Sequence, residues 1–329
     1  MAVNPIIRGT KIWEDGVLQV KVPLPFPLRW VNGYILRGQQ GFTVIDPGLH
    51  TKDAETIWEQ TLDENGIGFG DIEQVVLTHH HPDHYGMAGW FQERSHTPVR
   101  MSAAGYDQVK QLWRDGMPIT QKIADLFQKH GLTGEPAERL VPHLDSFVPL
   151  VSPQPEVAVI EPGAAVQLGS RTFETIHTPG HAEGHLCFYD RERRHMFCGD
   201  HVLPQISPNV SYIPGFDENP LKSFLDSLRD MQQYETDKAY PGHREPFASF
   251  VRRAGELIAH HDERLALMHA RLAEPMTAYE LCIRIFGTRL SIHQLRFALS
   301  ETLAHLFYLQ ALERIREEQR DGISVFRAC

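Results

Sequence analysis

Alternation and clustering of apolar positions lay out most of this chain. Val17 to Val22 alternates with a period of two and predicts a strand. Two more strands follow at 31–37 and 42–46, across the turn-forming Gly38-Gln39-Gln40-Gly41. Residues 51–65 carry helical periodicity, and the apolar run Ile72 to Leu77 predicts a buried strand, with another at 99–102. Helical patterns at 105–114 and 118–130 lead into a proline-spaced tract from Gly131 to Pro155. The whole stretch 104–158 is too long for a plain connection and predicts an inserted helical subdomain. Short strands are expected at 164–168, 173–177, 186–189 and 196–198. A helix from Pro220 to Tyr234 then puts Leu221, Phe224, Leu225 and Leu228 on one face.

After Pro246 the pattern becomes helical. Phe247 to Leu272 reads as one long helix. Two capping boxes, Thr277 with Glu280 and Ser291 with Gln294, each open another, the second expected to run to about Glu317. Asp321-Gly322 signals a hairpin turn near the end. Helix, helix, helix, hairpin is the order of a winged helix. Earlier in the chain, Pro23, Pro25 and Pro27 exclude helix and central strand from 23–30. That loop reads as an apolar flap packed on the body or as one wall of a substrate cleft, with Phe26, Leu28 and Trp30 as its apolar side chains.

Seven residues carry the chemistry. His79, His81, Asp83 and His84 lie within six positions, and His181, Asp200 and His243 each end an apolar run beside glycine. Neutral imidazole suits zinc and other borderline divalent ions, and carboxylates can bridge two of them. Five imidazoles and two carboxylates are too many for one tetrahedral ion and suit two. Two ions about 3.5–4 Å apart can share a water and convert it to hydroxide near neutral pH.

His-x-His-x-Asp-His followed by a distant His, Asp and His resembles the metallo-β-lactamase-fold hydrolases. Thr178-Pro179-Gly180-His181, Gly199-Asp200 and Pro241-Gly242-His243 are most similar to the glyoxalase II and lactamase-beta-2-like branches. The resemblance covers about residues 1–248. It implies an α/β fold, an αββα sandwich with the helical insert at about 104–158, and a small winged-helix-like domain at 249–329. It also implies roles. His79, His81 and His181 would hold one metal, Asp83, His84 and His243 the other, and Asp200 would bridge them. Asp46, ending the strand before Pro47-Gly48, would orient the ligands without being one. A hydroxide shared by the metals would be the nucleophile, with Asp83 able to accept its proton. Zinc is favoured by ligand type, and iron or manganese could occupy the same donors.

Other polar residues are less determined. The loop 205–212 offers Tyr212 or Asn209 as an oxyanion donor. His201, directly after the bridging acid, is a candidate to line the cleft. His80 points away from its neighbours by alternation, and His185 is a candidate to support a ligand. His260, His261 and His269 read as a solvated helix face.

Composition narrows the function. The 329 residues are 42% hydrophobic and 22% charged, an ordinary globular balance. A net charge of −10 disfavours polynucleotide and anionic membrane partners. Four cysteines without Cys-x-x-Cys spacing suggest a reduced compartment. The start, Met1 to Pro5, shows no signal-peptide pattern, and no apolar run approaches the ~20 residues of a membrane helix. The expectation is a cytoplasmic, two-metal hydrolase of a small acyl compound: thioester, lactone or carboxylic ester. It would neither read specific DNA nor enter membranes, and the insert or C-terminal module could form a homodimer surface. A phosphodiesterase or single-strand ribonuclease, suggested by the C-terminal module, is the alternative. A non-catalytic metal-binding regulatory protein is the third reading.

Overall fold

The computed structural model describes residues 9–114 and 116–329. Met1 to Pro5, on which the reading of the leader rests, lie outside them. In chain order the first part holds β1 (Thr10–Ile12), β2 (Leu18–Pro23), β3 (Trp30–Arg37), β4 (Phe42–Ile45), α1 (Lys52–Glu64), β5 (Ile72–Val76), α2 (Pro82–Tyr85), α3 (Ala88–Ser95) and β6 (Val99–Met101). The insert adds α4 (Ala103–Leu112), α5 (Pro118–Lys129) and α6 (Glu135–Asp145) before β7 (Val157–Val159). These strands form one seven-stranded sheet in sequence order, antiparallel from β1 to β4 and parallel from β4 to β7.

A second sheet follows: β8 (Ala165–Leu168), β9 (Arg171–His177), β10 (Leu186–Asp190), β11 (His195–Gly199), then α7 (Pro220–Met231) and β12 (Lys238–Pro241). Its five strands run in the order β12-β11-β10-β9-β8, with only the β11–β12 pair parallel. The chain ends with α8 (Phe250–Arg271), α9 (Ala278–Phe286), α10 (Ile292–Ala311) and the hairpin β13 (Ile315–Arg320) and β14 (Ile323–Ala328).

Alternation within single strands sets the layers. In β10, Leu186 and Phe188 face inward, while Cys187 and Tyr189 face the outer helices. In β11, Phe197 faces inward and Met196 and Cys198 outward. The inward side chains meet Tyr34, Ile45 and Val76 of the first sheet, which makes a sheet-on-sheet core. Val44 and Val75 point the other way, onto Trp58 of α1 and Phe91 of α3. Leu221 and Phe224 of α7 and Phe250 and Ala254 of α8 cover the second sheet. The result is the expected αββα sandwich.

The insert packs against the C-terminal segment. Ile123 and Phe127 of α5 and Leu140 of α6 share one core with Leu295 and Leu299 of α10 and Phe326 of β14. The proline-spaced tract also contains a helix, α6, that the sequence reading missed. Pro136 sits in its first turn, where a missing N–H costs nothing, and Pro142 is accommodated inside it. β1 and β7, three residues each, were too short to show a period. α10 stops at Ala311, short of the expected Glu317, because Glu313 takes a left-handed conformation and β13 begins. Asp321 and Gly322 both have positive φ, as a tight hairpin turn needs. Among the described residues no helix is long and apolar enough to cross a membrane.

Phe127 tests the joint core. Its ring is fully buried, so Phe127→Ala should cost about 3–5 kcal/mol. A urea titration read by fluorescence should show a lower midpoint. An unchanged midpoint would mean that insert and C-terminal segment do not support one another.

Candidate metal centre

The ligand loop is held from beneath. β5 delivers Thr78, whose carbonyl accepts from Leu186 N–H at 2.8 Å, tying the loop to the second sheet. Asp46 follows β4 with φ 49°, a left-handed conformation that aspartate tolerates better than most residues. Its buried carboxylate accepts from the Thr78 N–H at 2.8 Å, the Thr78 hydroxyl at 2.7 Å and His84 Nδ1 at 2.9 Å. The Thr78 oxygen in turn accepts from His79 Nδ1 at 2.9 Å. One carboxylate therefore orients His84 directly and His79 through Thr78.

All seven predicted side chains converge. His79, His81 and His181 form one group whose donor atoms lie within 4.8 Å of one another, and Asp83, His84 and His243 form another. Asp200 lies between them. Its Oδ2 is 3.6 Å from His181 Nε2 and 3.4 Å from His243 Nε2, and its Oδ1 is 3.5 Å from His84 Nε2. The far ring nitrogens are occupied elsewhere: His181 Nδ1 donates to the Asn209 carbonyl at 2.7 Å and His243 Nδ1 to the Trp30 carbonyl at 3.0 Å. That leaves each Nε2 facing the centre. His81 is reversed, with its Nδ1 3.0 Å from His79 Nε2. It caps α2, whose first residue is Pro82.

Electrostatics divide the cluster. Burial holds His79 and His81 well below the usual imidazole range, and neighbouring histidines push the same way. Burial also opposes charge on His84 and His243, but there the carboxylates win. Asp200, Asp46 and Asp83 raise His84 well above its usual value, and Asp200 and Asp83 push His243 up to about 10. Protons on these two imidazoles thus balance the carboxylates in a space that suits a cation. His84 Nε2 and Asp200 Oδ1 are buried without a hydrogen-bond partner. Orphaned donors of this kind, in this mixture of imidazole and carboxylate, fit divalent metal ions.

Several residues differ from expectation. Tyr212 does not face the cluster: its ring packs edge-on against Phe307 at 4.6 Å, in the core around α10. His201 does not line the cleft. It is fully buried against Phe224 and His185, because the chain turns inward after Asp200. Trp30 contributes its carbonyl to His243 rather than its ring to a wall. His185 does more than the sequence showed. Its Nδ1 donates to Thr178 at 2.7 Å and its Nε2 accepts the Asp200 N–H at 3.2 Å, which fixes the backbone of the central acid. His261 is buried against His305 at 3.0 Å, not solvated.

The cluster opens into a cavity of about 500 Å³. Asp83, His81, His181, Asp200 and His243 form its floor. Phe26 and Leu28, as expected, line one wall. Trp113, Ile119, Ile123 and Phe147 come from the insert, and Phe286, Leu290, His293, Arg296 and Phe297 from the C-terminal segment. His80, which alternation turned away, lines it as well, against Trp113.

Asp46→Asn tests the support beneath the floor. The amide cannot accept all three bonds, so metal affinity should fall by roughly 10–100-fold, as for other partners of ligating histidines. Titration with a chromophoric chelator measures this. Wild-type affinity would remove Asp46 from the site.

A sandwich with such a cluster at its strand ends defines a class of metal-dependent hydrolases. Residues 28–243 match the family described as the metallo-beta-lactamase superfamily, and the chain belongs to it. Residues 265–329 match the metallo-beta-lactamase-like C-terminal domain. The chain is similar to a metallo-beta-lactamase family protein of Thermus thermophilus, with TM-score 0.85 and 34% identity, covering 96% of this chain and 99% of that one. A Bacillus subtilis (strain 168) protein named a probable metallo-hydrolase is 29% identical over 92% of this chain and 94% of its own length. An atrochrysone carboxyl ACP thioesterase of Passalora fulva is 24% identical over 99% of this chain and 83% of its own. The protein is a metallo-hydrolase of this superfamily.

Proposed function

We propose that the chain hydrolyses an ester-like bond of a small acyl compound, with thioesters first among the candidates, using two divalent metal ions. The observation that carries this is the cavity: a largely apolar chamber whose floor is the His–Asp cluster. An apolar chamber accepts an acyl chain and places its carbonyl over the floor. The thioesterase named among the relatives supports the same bond.

His79, His81 and His181 would hold one ion and Asp83, His84 and His243 the other, with Asp200 shared. Zinc is favoured by the donor set, with iron or manganese as alternatives. When bound, such ions polarise a carbonyl and acidify water. The chain's own contributions are distinct. Asp46 and His185 fix the ligands. Asp83, with 21% of its side chain exposed, is the carboxylate open to the cleft and can take a proton from attacking water. The insert and α10 exclude bulk water from the bond.

A hydrolysis panel on metal-quantified protein decides the class. It should contain S-acyl glutathiones, acyl-homoserine lactones, p-nitrophenyl esters, bis-p-nitrophenyl phosphate and single-stranded RNA. Turnover of an acyl member well above free-metal background is expected. Efficient RNA cleavage, abolished by Asp83→Ala and without ester turnover, would replace this reading with the ribonuclease one. Burial of most of α10 argues against a DNA-reading role for that helix.

A further inference from the structure

Arg296 is the cation in the cavity wall. It lies on α10, and its guanidinium stacks 4.1 Å from the Phe297 ring centre and 5.2 Å from that of Phe147. Its Nε–H is buried with no hydrogen-bond partner among the described residues. Glu301, further along the same helix, is already engaged by Arg264 at 3.3 Å and Asn209 at 2.9 Å. His293 lies one turn before Arg296 on the same face. It stacks on Phe26 at 4.6 Å, and its Nδ1 is likewise buried and unpartnered.

A guanidinium with a buried, unsatisfied donor costs free energy that an anion would recover. Stacking between two aromatic planes holds its fork in place, which favours a planar or tetrahedral oxyanion over a diffuse charge. Burial lowers its pKa only to about 10, so it keeps its charge at neutral pH. The surrounding wall, Leu112, Ile119, Ile123 and Leu144, is apolar. Arg296 lines the same cavity as Asp83 and feels its charge, so the cation lies within electrostatic reach of the floor.

We propose that Arg296 anchors an oxyanion, carboxylate or phosphate, carried by the substrate in addition to the bond that is broken. The substrate class becomes an acyl thioester or ester that bears an anionic group. This rests on the hydrolase reading for the position of the bond, but the anchor can be tested apart from it.

Binding comes first. Isothermal titration of the metal-loaded full chain would use three hydrolysis-inert alkyl thioethers, identical except for a carboxylate, phosphate or methyl-amide end. Wild type should bind one or both anionic members about 10–100-fold more tightly than the amide, the range of a charge-assisted contact. The two anionic arms tell which oxyanion is preferred. Arg296→Met should erase the preference, and Arg296→Lys should keep part of it. Arg296→Gln with an unchanged melting temperature provides a second, folded variant. The same comparison on hydrolysable thioesters should show a rise in KM larger for the anionic members than for the neutral one.

The outcomes separate. Arg296-dependent binding without thioester turnover sinks the thioester reading and leaves the anchor standing. Turnover with the same anionic preference in wild type and Arg296→Met overturns the anchor. So does a wild type that binds all three thioethers equally or none.

Discussion

Asp200→Ala should strip both halves of the centre together. Its two carboxylate oxygens lie 3.4–3.6 Å from nitrogens of His84, His181 and His243, so this one carboxylate reaches both groups. The same substitution removes the largest of the carboxylate charges that raise His84 and His243 above the usual imidazole range. Elemental analysis of protein purified without chelator should fall from nearly two metals per chain to nearly none. Activity on the best panel substrate should drop by roughly 10³-fold or more, about 4 kcal/mol of barrier. Asp200→Asn, which keeps one oxygen and the volume, should fall between. A variant that retains one metal and full activity would refute the bridging position.

Gly242→Ala should be nearly as damaging, although glycine holds no metal. A Cβ there would stand 2.2 Å from Asp200 Oδ1 and 2.5 Å from His84 Cε1. The backbone cannot retreat: Gly242 N–H donates to Gly199 at 2.7 Å, and its carbonyl accepts from Asn32 N–H at 2.7 Å. The carboxylate and imidazole must move instead. Displacements of about 1 Å can cost 10²-fold in rate, so kcat/KM should fall by about that factor, with weaker metal retention and little change in melting temperature. Gly70→Ala, where an added Cβ meets nothing within 4 Å, is the control. Equal kinetics for the two variants would show that the cluster has slack the geometry denies.

The parts that were legible share a physical property: they are local. His79, His81, Asp83 and His84 advertise themselves because one loop holds them, and His181, Asp200 and His243 because each ends a strand or begins its turn. The capping boxes at Thr277 and Ser291 form as read, since a cap is decided within four residues. What failed depended on direction or on distant neighbours. Tyr212 carries the right chemistry for an oxyanion donor, but Phe307, 95 positions away, draws its ring into the core. His201 turned inward for a similar reason. Arg296 was visible only as one basic residue among few, because Phe147 and the insert that make it a cavity wall lie far off in sequence. The prolines that space the tract from Gly131 to Pro155 hid α6, although one occupies the turn that tolerates it.

The cavity's floor and roof are written in different places. Every side chain of the His–Asp cluster precedes residue 244, whereas Phe286, Leu290, His293 and Arg296 come later. The parts that would react and the parts that would sort substrates are therefore separable along the chain: the donor set is complete before α8, and α10 supplies the last wall of the chamber.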